Sequence, residues 1–191
     1  MRVLVVVISI MVGAIPAWAA DPAAGEARAQ TCKACHGAQG VSAIGSIPSL
    51  AGQKDNFLQW QLVFFRSGRR ANPIMGPLSA NLSDEDVRDL GAYFASLPAP
   101  GPRAAADPAV TQAGADIAAQ HHCAACHTDT YSGNRAAPAV AHQQRDYLVK
   151  ALTDYRSGAR PSVGVAAMTE ATSGLTDTDI AALADFLATY Q

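Results

Sequence analysis

A chain of 191 residues with 14 lysines and arginines against 16 aspartates and glutamates has room for one domain or two small ones, and it lacks the basic stripe that tracks nucleic acid. Its four cysteines fall into two identical spacings, so no thiol is left for a structural disulfide or a separate nucleophile.

The chain opens with Met1-Arg2 and an apolar run from Val3 to Val12, which is too short and too early for a membrane span. Ala17-Trp18-Ala19 then supplies the small residues a signal peptidase reads. Residues 1–19 are therefore expected to be an export signal cleaved near Ala19, the alternative being an uncleaved anchor. No later apolar run is long enough to span a bilayer. The remainder is expected in the periplasm, soluble or attached to a membrane surface.

A short helix is predicted from about Ala23 into Cys32-Lys33-Ala34-Cys35-His36, and the same pentapeptide pattern returns as Cys123-Ala124-Ala125-Cys126-His127. C-x-x-C-H is the attachment sequence for c-type haem. Two intervening residues bring both sulfurs to one edge of a macrocycle, and the next residue projects its imidazole beneath it. Cys32, Cys35, Cys123 and Cys126 are thus expected to carry two haem c groups, with His36 and His127 on the irons. A thioredoxin-like pair would need a strand-rich context that does not appear. A four-thiolate zinc site uses a separation of about 15–20 residues, far shorter than the one here. Pro48 and Pro138 follow the histidines by twelve and eleven residues. A carbonyl in this region can accept the imidazole N–H and fix the ring; the plainer reading is an ordinary loop proline.

A middle helix carries Leu58, Leu62 and Phe65 on one face. The last helix of the copy is expected to start at Ser83, which can cap it, with acidic residues behind it and Leu82 and Val87 at staple positions. Between these helices lies Met75. Pro98-Ala99-Pro100-Gly101-Pro102-Arg103 then favours an extended connector.

Beyond it the blocks recur in the same order: Pro48-Ser49-Leu50-Ala51-Gly52-Gln53 as Pro138-Ala139-Val140-Ala141-His142-Gln143, the middle helix as Leu148, Leu152 and Tyr155, and the cap as Thr176. Such order at nearly constant offset means duplication. The expected division is a first domain over 20–98, a proline-rich linker over 99–108 and a second domain over 109–191. Each is all-α, and so small that a covalent haem should form part of its core.

Once the export segment is removed, Met75 and Met168 are the only methionines, 39 and 41 residues after the haem histidines. A lone methionine usually fills a gap in a core. One per copy, at matching places in a loop before the last helix, points to iron ligation. His/Met coordination leaves no open site for substrate, and its chemistry is outer-sphere electron transfer. His121 and His122 are expected on the surface. His142, standing where the first copy has Gly52, is the alternative to Met168.

These motifs resemble the class I cytochrome c fold in duplicate, and more narrowly the dihaem cytochromes of the c4 family. The resemblance rests on the two pentapeptides, the Pro48–Gln53 block, Gln61-Leu62 through Phe65-Arg66-Ser67-Gly68-Arg69, Met75, and Asn81-Leu82-Ser83-Asp84-Glu85-Asp86. It implies that His36 with Met75, and His127 with Met168, are axial ligands, and that Pro48 and Pro138 supply the orienting carbonyls. It also implies two domains related by a pseudo-twofold axis, a periplasmic and often membrane-associated protein, and electrons passed towards terminal oxidases. The second copy departs from the pattern at Thr128, at His142 and in a loop from Arg160 to Met168 three residues longer than its counterpart.

Charge adds little: seven basic and seven acidic residues lie in 20–98, five and nine in 107–191. Arg66, Arg69 and Arg70 either pair with haem propionates or face solvent. No nucleophile with its base and no non-haem metal cluster is recognisable. The expected function is therefore a non-enzymatic electron carrier, taking electrons from a quinol-oxidising complex or dehydrogenase and giving them to a terminal oxidase or reductase. The rivals are the cytochrome subunit of a dehydrogenase such as flavocytochrome c sulfide dehydrogenase, and an enzyme with an open second iron.

Overall fold

The computed structural model describes residues 19–104, 107–135, 137–160 and 167–191. The expected export segment up to residue 18, and most of the long loop before Met168, lie outside the described residues. All regular structure among the described residues is helical. The first copy contains α1 (Pro22–Arg28), α2 (Gln30–His36), α3 (Asp55–Arg66), α4 (Met75–Ser79) and α5 (Asp84–Ser96). The second contains α6 (Pro108–Gln120), α7 (Ala124–His127), α8 (Arg145–Arg156), α9 (Ala167–Thr172) and α10 (Asp177–Thr189). No helix among the described residues is long and apolar enough to cross a membrane.

Capping chemistry sets the helix starts. Ser83 accepts from the Asp86 N–H at 3.0 Å while the Asp86 carboxylate accepts from the Ser83 N–H at 2.8 Å, and Thr176 with Asp179 repeats the exchange at 3.1 and 2.8 Å. Asp21 and Asp107 cap α1 and α6, each followed by a proline whose missing N–H costs a first turn nothing. Pro108, counted with the connector in the sequence, is thus the first residue of α6.

α1 packs on α5, and α6 on α10. Glycine permits both crossings: a Cβ at Gly25 would collide with the Asp89 carbonyl, and one at Gly114 with the Ala182 carbonyl. Leu58, Leu90, Tyr93, Phe94 and Ala29 form the first core. Leu148, Leu152, Leu175, Ile180, Leu183 and Leu187 lead the second. Tyr155, expected on the same apolar face, instead lies under the Arg160 guanidinium, 4.5 Å from ring centre to Cζ.

The copies meet through the loops after α2 and α7. Gln53 donates to the Ala139 carbonyl at 2.9 Å and accepts from the Ala139 N–H at 2.7 Å. Gln143 does the same with Ser49, at 2.9 and 2.8 Å. Exchanging the two copies carries one pair of bonds onto the other. Both glutamines are only 6% exposed, so these bonds form away from water.

Replacing Gly25 or Gly114 by alanine forces the crossing apart and is expected to lower the unfolding free energy by about 1–3 kcal/mol. Denaturant unfolding of each variant against the parent checks this.

Candidate functional site

Cys32 and Cys35 lie one turn apart on α2, and His36 is its last residue; Cys126 and His127 end α7, with Cys123 at its N-cap. Both histidines are 7% exposed. The Nδ1 of His36 is 2.8 Å from the Pro48 carbonyl oxygen, and that of His127 is 2.8 Å from the Pro138 oxygen. A carbonyl can only accept, so Nδ1 holds the proton in each ring. Burial holds both imidazoles below their ordinary pKa, against the opposing pull of the carbonyl bonds. Each is therefore neutral near pH 7, with an Nε2 lone pair that engages no hydrogen bond among the described residues. That is the form of imidazole a metal ion binds.

The sulfurs are less suited to ionic ligation. Burial pushes the Cys32 and Cys123 thiols up, away from thiolate. Among the described residues no three His, Cys, Asp or Glu side chains converge as a metal cluster, which speaks against a thiolate zinc site.

The methionines are placed differently from expectation. Met75 is the first residue of α4 and Met168 the second of α9, so both sit in short helices instead of loops. The Asn72 side-chain oxygen accepts from the N–H groups of Ile74 and Met75 at 2.9 and 2.8 Å and starts the turn. Pro77 lies in that first turn, where a missing N–H is tolerated. Met168 packs against the second core, and Thr172 donates to its carbonyl at 2.8 Å.

His122 is exposed as expected, whereas the Nδ1 of half-buried His121 lies 3.0 Å from the Ala171 carbonyl. His142 has both ring nitrogens engaged, Nδ1 at 2.9 Å from the Pro100 carbonyl and Nε2 at 2.8 Å from that of Tyr190. Each ring nitrogen is thus directed at a carbonyl oxygen, one on the connector and one at the end of α10.

Arg66 donates to the Leu82 carbonyl and to Asp84, and Arg156 repeats this with Leu175 and Asp177. Arg70 has another setting, shared with three residues the sequence did not single out as functional. Arg70 and Arg160 both donate to the Gln61 side-chain oxygen, at 2.6 and 2.9 Å, and both reach the Tyr147 hydroxyl at 3.3 Å. Burial pushes the Tyr147 phenol up, but the guanidinium charges of Arg160 and Arg70 more than reverse this and bring it down to about 8. Neither arginine has a carboxylate partner among the described residues. Two cations thus converge at the domain interface on one amide oxygen and one phenol, with the Asp154 charge also acting on Arg160. Only the repeat of Phe65–Arg70 as Tyr155–Arg160 hinted at the pair.

Beside His127 the backbone is strained. Thr128 sits at φ 69, ψ 162, where Gly37 of the first copy sits at φ 88, ψ 150. This region is essentially reserved for glycine, and a β-branched side chain there costs roughly 1–3 kcal/mol. Thr128→Gly is expected to raise the unfolding free energy by about 1 kcal/mol after the entropy of the added glycine is set against the relieved strain. Thermal unfolding beside the parent measures it.

Residues 111–191 match the family model described as Cytochrome c, and residues 19–94 that described as Cytochrome C oxidase, cbb3-type, subunit III. The chain is 36% identical over 177 residues to cytochrome c4 of Pseudomonas aeruginosa, covering 88% of each chain. It is 34% identical over 171 residues to a thiosulfate dehydrogenase electron acceptor of Stutzerimonas stutzeri, covering 84% of this chain and 79% of that one. The solved structure of reduced recombinant cytochrome c4 from Pseudomonas stutzeri superposes with a TM-score of 0.83 at 30% identity, covering 90% of this chain and 99% of the other.

Proposed function

Because this chain belongs to the cytochrome c4 family and consists of two cytochrome c domains, we propose that it is a periplasmic dihaem electron carrier that takes single electrons from one redox protein and delivers them to another. The observation that carries the reading is the pair of buried, neutral histidines, each with Nδ1 spent on a proline carbonyl and Nε2 free, at the end of a helix bearing two cysteines. In this reading Cys32 with Cys35, and Cys123 with Cys126, hold the two haems by thioether bonds. His36 and His127 supply one axial ligand each, and Met75 and Met168 the other. A haem so ligated supplies a one-electron iron couple of raised potential with no open coordination position.

The chain's other residues support that task. Pro48 and Pro138 hold the imidazole rings in one orientation and keep their protons on Nδ1. Buried Arg160 and half-buried Arg70 are the cations suited to offset the carboxylates of a porphyrin, where Arg66 and Arg156 already have acidic partners.

A second reading is favoured by the likeness to a thiosulfate dehydrogenase electron acceptor. There the donor is a sulfur-compound dehydrogenase that hands electrons to this chain. It differs from the carrier reading in the partner, not in the chemistry of the two sites, and it names thiosulfate oxidation where the sequence suggested a flavocytochrome.

The exported protein is expected to carry two haems per chain, to show a ferric sulfur-to-iron absorption band of full strength, and to form no carbon monoxide adduct when reduced. Met168→Ala is expected to open one site, so that carbon monoxide binds half of the haem and half of the ferric band is lost. A parent protein that already binds carbon monoxide at half its haem would overturn ligation by Met168. Stopped-flow reduction of the parent by thiosulfate dehydrogenase, compared with reduction by a quinol-oxidising complex, distinguishes the donors.

A further inference from the structure

The bond that orients each histidine does not stop at the proline. The carbonyl of Pro48 and the N–H of Ser49 belong to one peptide unit, and so do the carbonyl of Pro138 and the N–H of Ala139. His36 donates to the first oxygen at 2.8 Å, and the Ser49 N–H on the other side of that peptide donates at 2.8 Å to the side-chain oxygen of Gln143 in the second domain. In the opposite sense His127 donates to Pro138 at 2.8 Å, and the Ala139 N–H donates at 2.7 Å to Gln53 in the first.

We propose that Gln53 and Gln143 are crossed positioning residues: each tunes the haem histidine of the domain to which it does not belong. An oxygen accepting from a peptide N–H polarises that peptide and makes its carbonyl a better acceptor. A better acceptor draws the imidazole Nδ1–H further, raises the donor strength of Nε2 and favours the ferric iron. The arrangement is built for this. Both glutamines are buried, and each also returns a bond from Nε2 to the same residue's carbonyl. Each oxygen accepts in addition from the N–H at its own helix start, Lys54 for Gln53 and Gln144 for Gln143, at 3.0 and 2.8 Å. Buried Gln144 extends the contact by donating to the Ser42 carbonyl of the first domain. The couplings are reciprocal by linkage: an electron placed on one haem alters the hold that the other domain has on it.

This proposal rests on His36 and His127 being haem ligands. Its test is a redox titration of the haem-loaded protein followed by NMR, with the haem methyl signals assigned to each domain. Gln53→Leu keeps the volume and removes the acceptor. It is expected to raise the reduction potential of the second haem by the equivalent of a three- to tenfold change in its reduced-to-oxidised ratio, the range of one net hydrogen bond, about 28–59 mV at ~59 mV per decade for one electron. The first haem is expected to change by less than twofold. Gln143→Leu should do the reverse, and Gln53→Asn, which keeps the amide but draws its oxygen back, should shift the second haem in the same direction by less. A loosened interface would move both potentials together. Equal shifts at both haems, a shift at the variant's own haem, or no shift would overturn the proposal. A parent protein with fewer than two histidine-bound haems would overturn the functional reading instead.

Discussion

A buried imidazole has two nitrogens, and this fold spends one of them to make the other useful. The bond from each buried histidine, His36 and His127, to a proline carbonyl is the constraint on which the remaining arrangement turns. Proline suits the acceptor position because its φ is fixed and the residue has no N–H of its own to satisfy. The helix that carries the histidine must then arrive at one place. In the first copy α1 and α2 meet at Ala29, which is fully buried, and α1 is set by the approach of Gly25 to α5. Two glycine-mediated crossings thus fix two helices, which fix two histidines.

Domains of this size have little apolar area to spare, and a covalently held macrocycle would add to what their side chains bury. The same economy shows in the way the domains are joined. Among the described residues the interface carries buried amides and carbonyls joined across it, with Gln53 and Gln143 satisfied at both side-chain atoms. A fully satisfied buried polar contact contributes modestly to affinity but strongly to orientation, because any slippage leaves groups unpaired. For the proposed role of moving electrons between two centres, fixed orientation is the property that matters.

The features legible in the sequence are those written locally. The capping boxes at Ser83 and Thr176, the faces of α3 and α8 and the order of repeated blocks depend on residues within a few turns of one another, so spacing reveals them. Met75 and Met168 were visible as a matched pair, but their helices were not. α4 and α9 span only 5 and 6 residues, too short for periodicity, and α4 contains a glycine and a proline that look like a loop. Gln53 and Gln143 were visible only as conspicuous members of a repeated block. Their bonds join residues 86 and 94 positions apart, and nothing in the repeat says that each copy completes the other's site. Arg160 and the shared setting of Arg70 were hidden for the same reason, since Gln61 and Tyr147 come to them from opposite domains.

The second copy's departures have a physical order of their own. Gly52 and His142 occupy equivalent left-handed positions, at φ 67 and 60, and each donates its N–H to the last helix of its own domain. At Gly52 the connector passes so close that a Cβ would meet Ala99, which excludes any side chain. At His142 there is room, and the ring reaches back to the next connector residue, Pro100, and across to Tyr190. One connector is therefore held twice, by contact with a missing side chain in one domain and by bonds to a large one in the other. Symmetry ends at the connector because one chain must leave the first domain and enter the second. The glycine-to-histidine change sits where that happens.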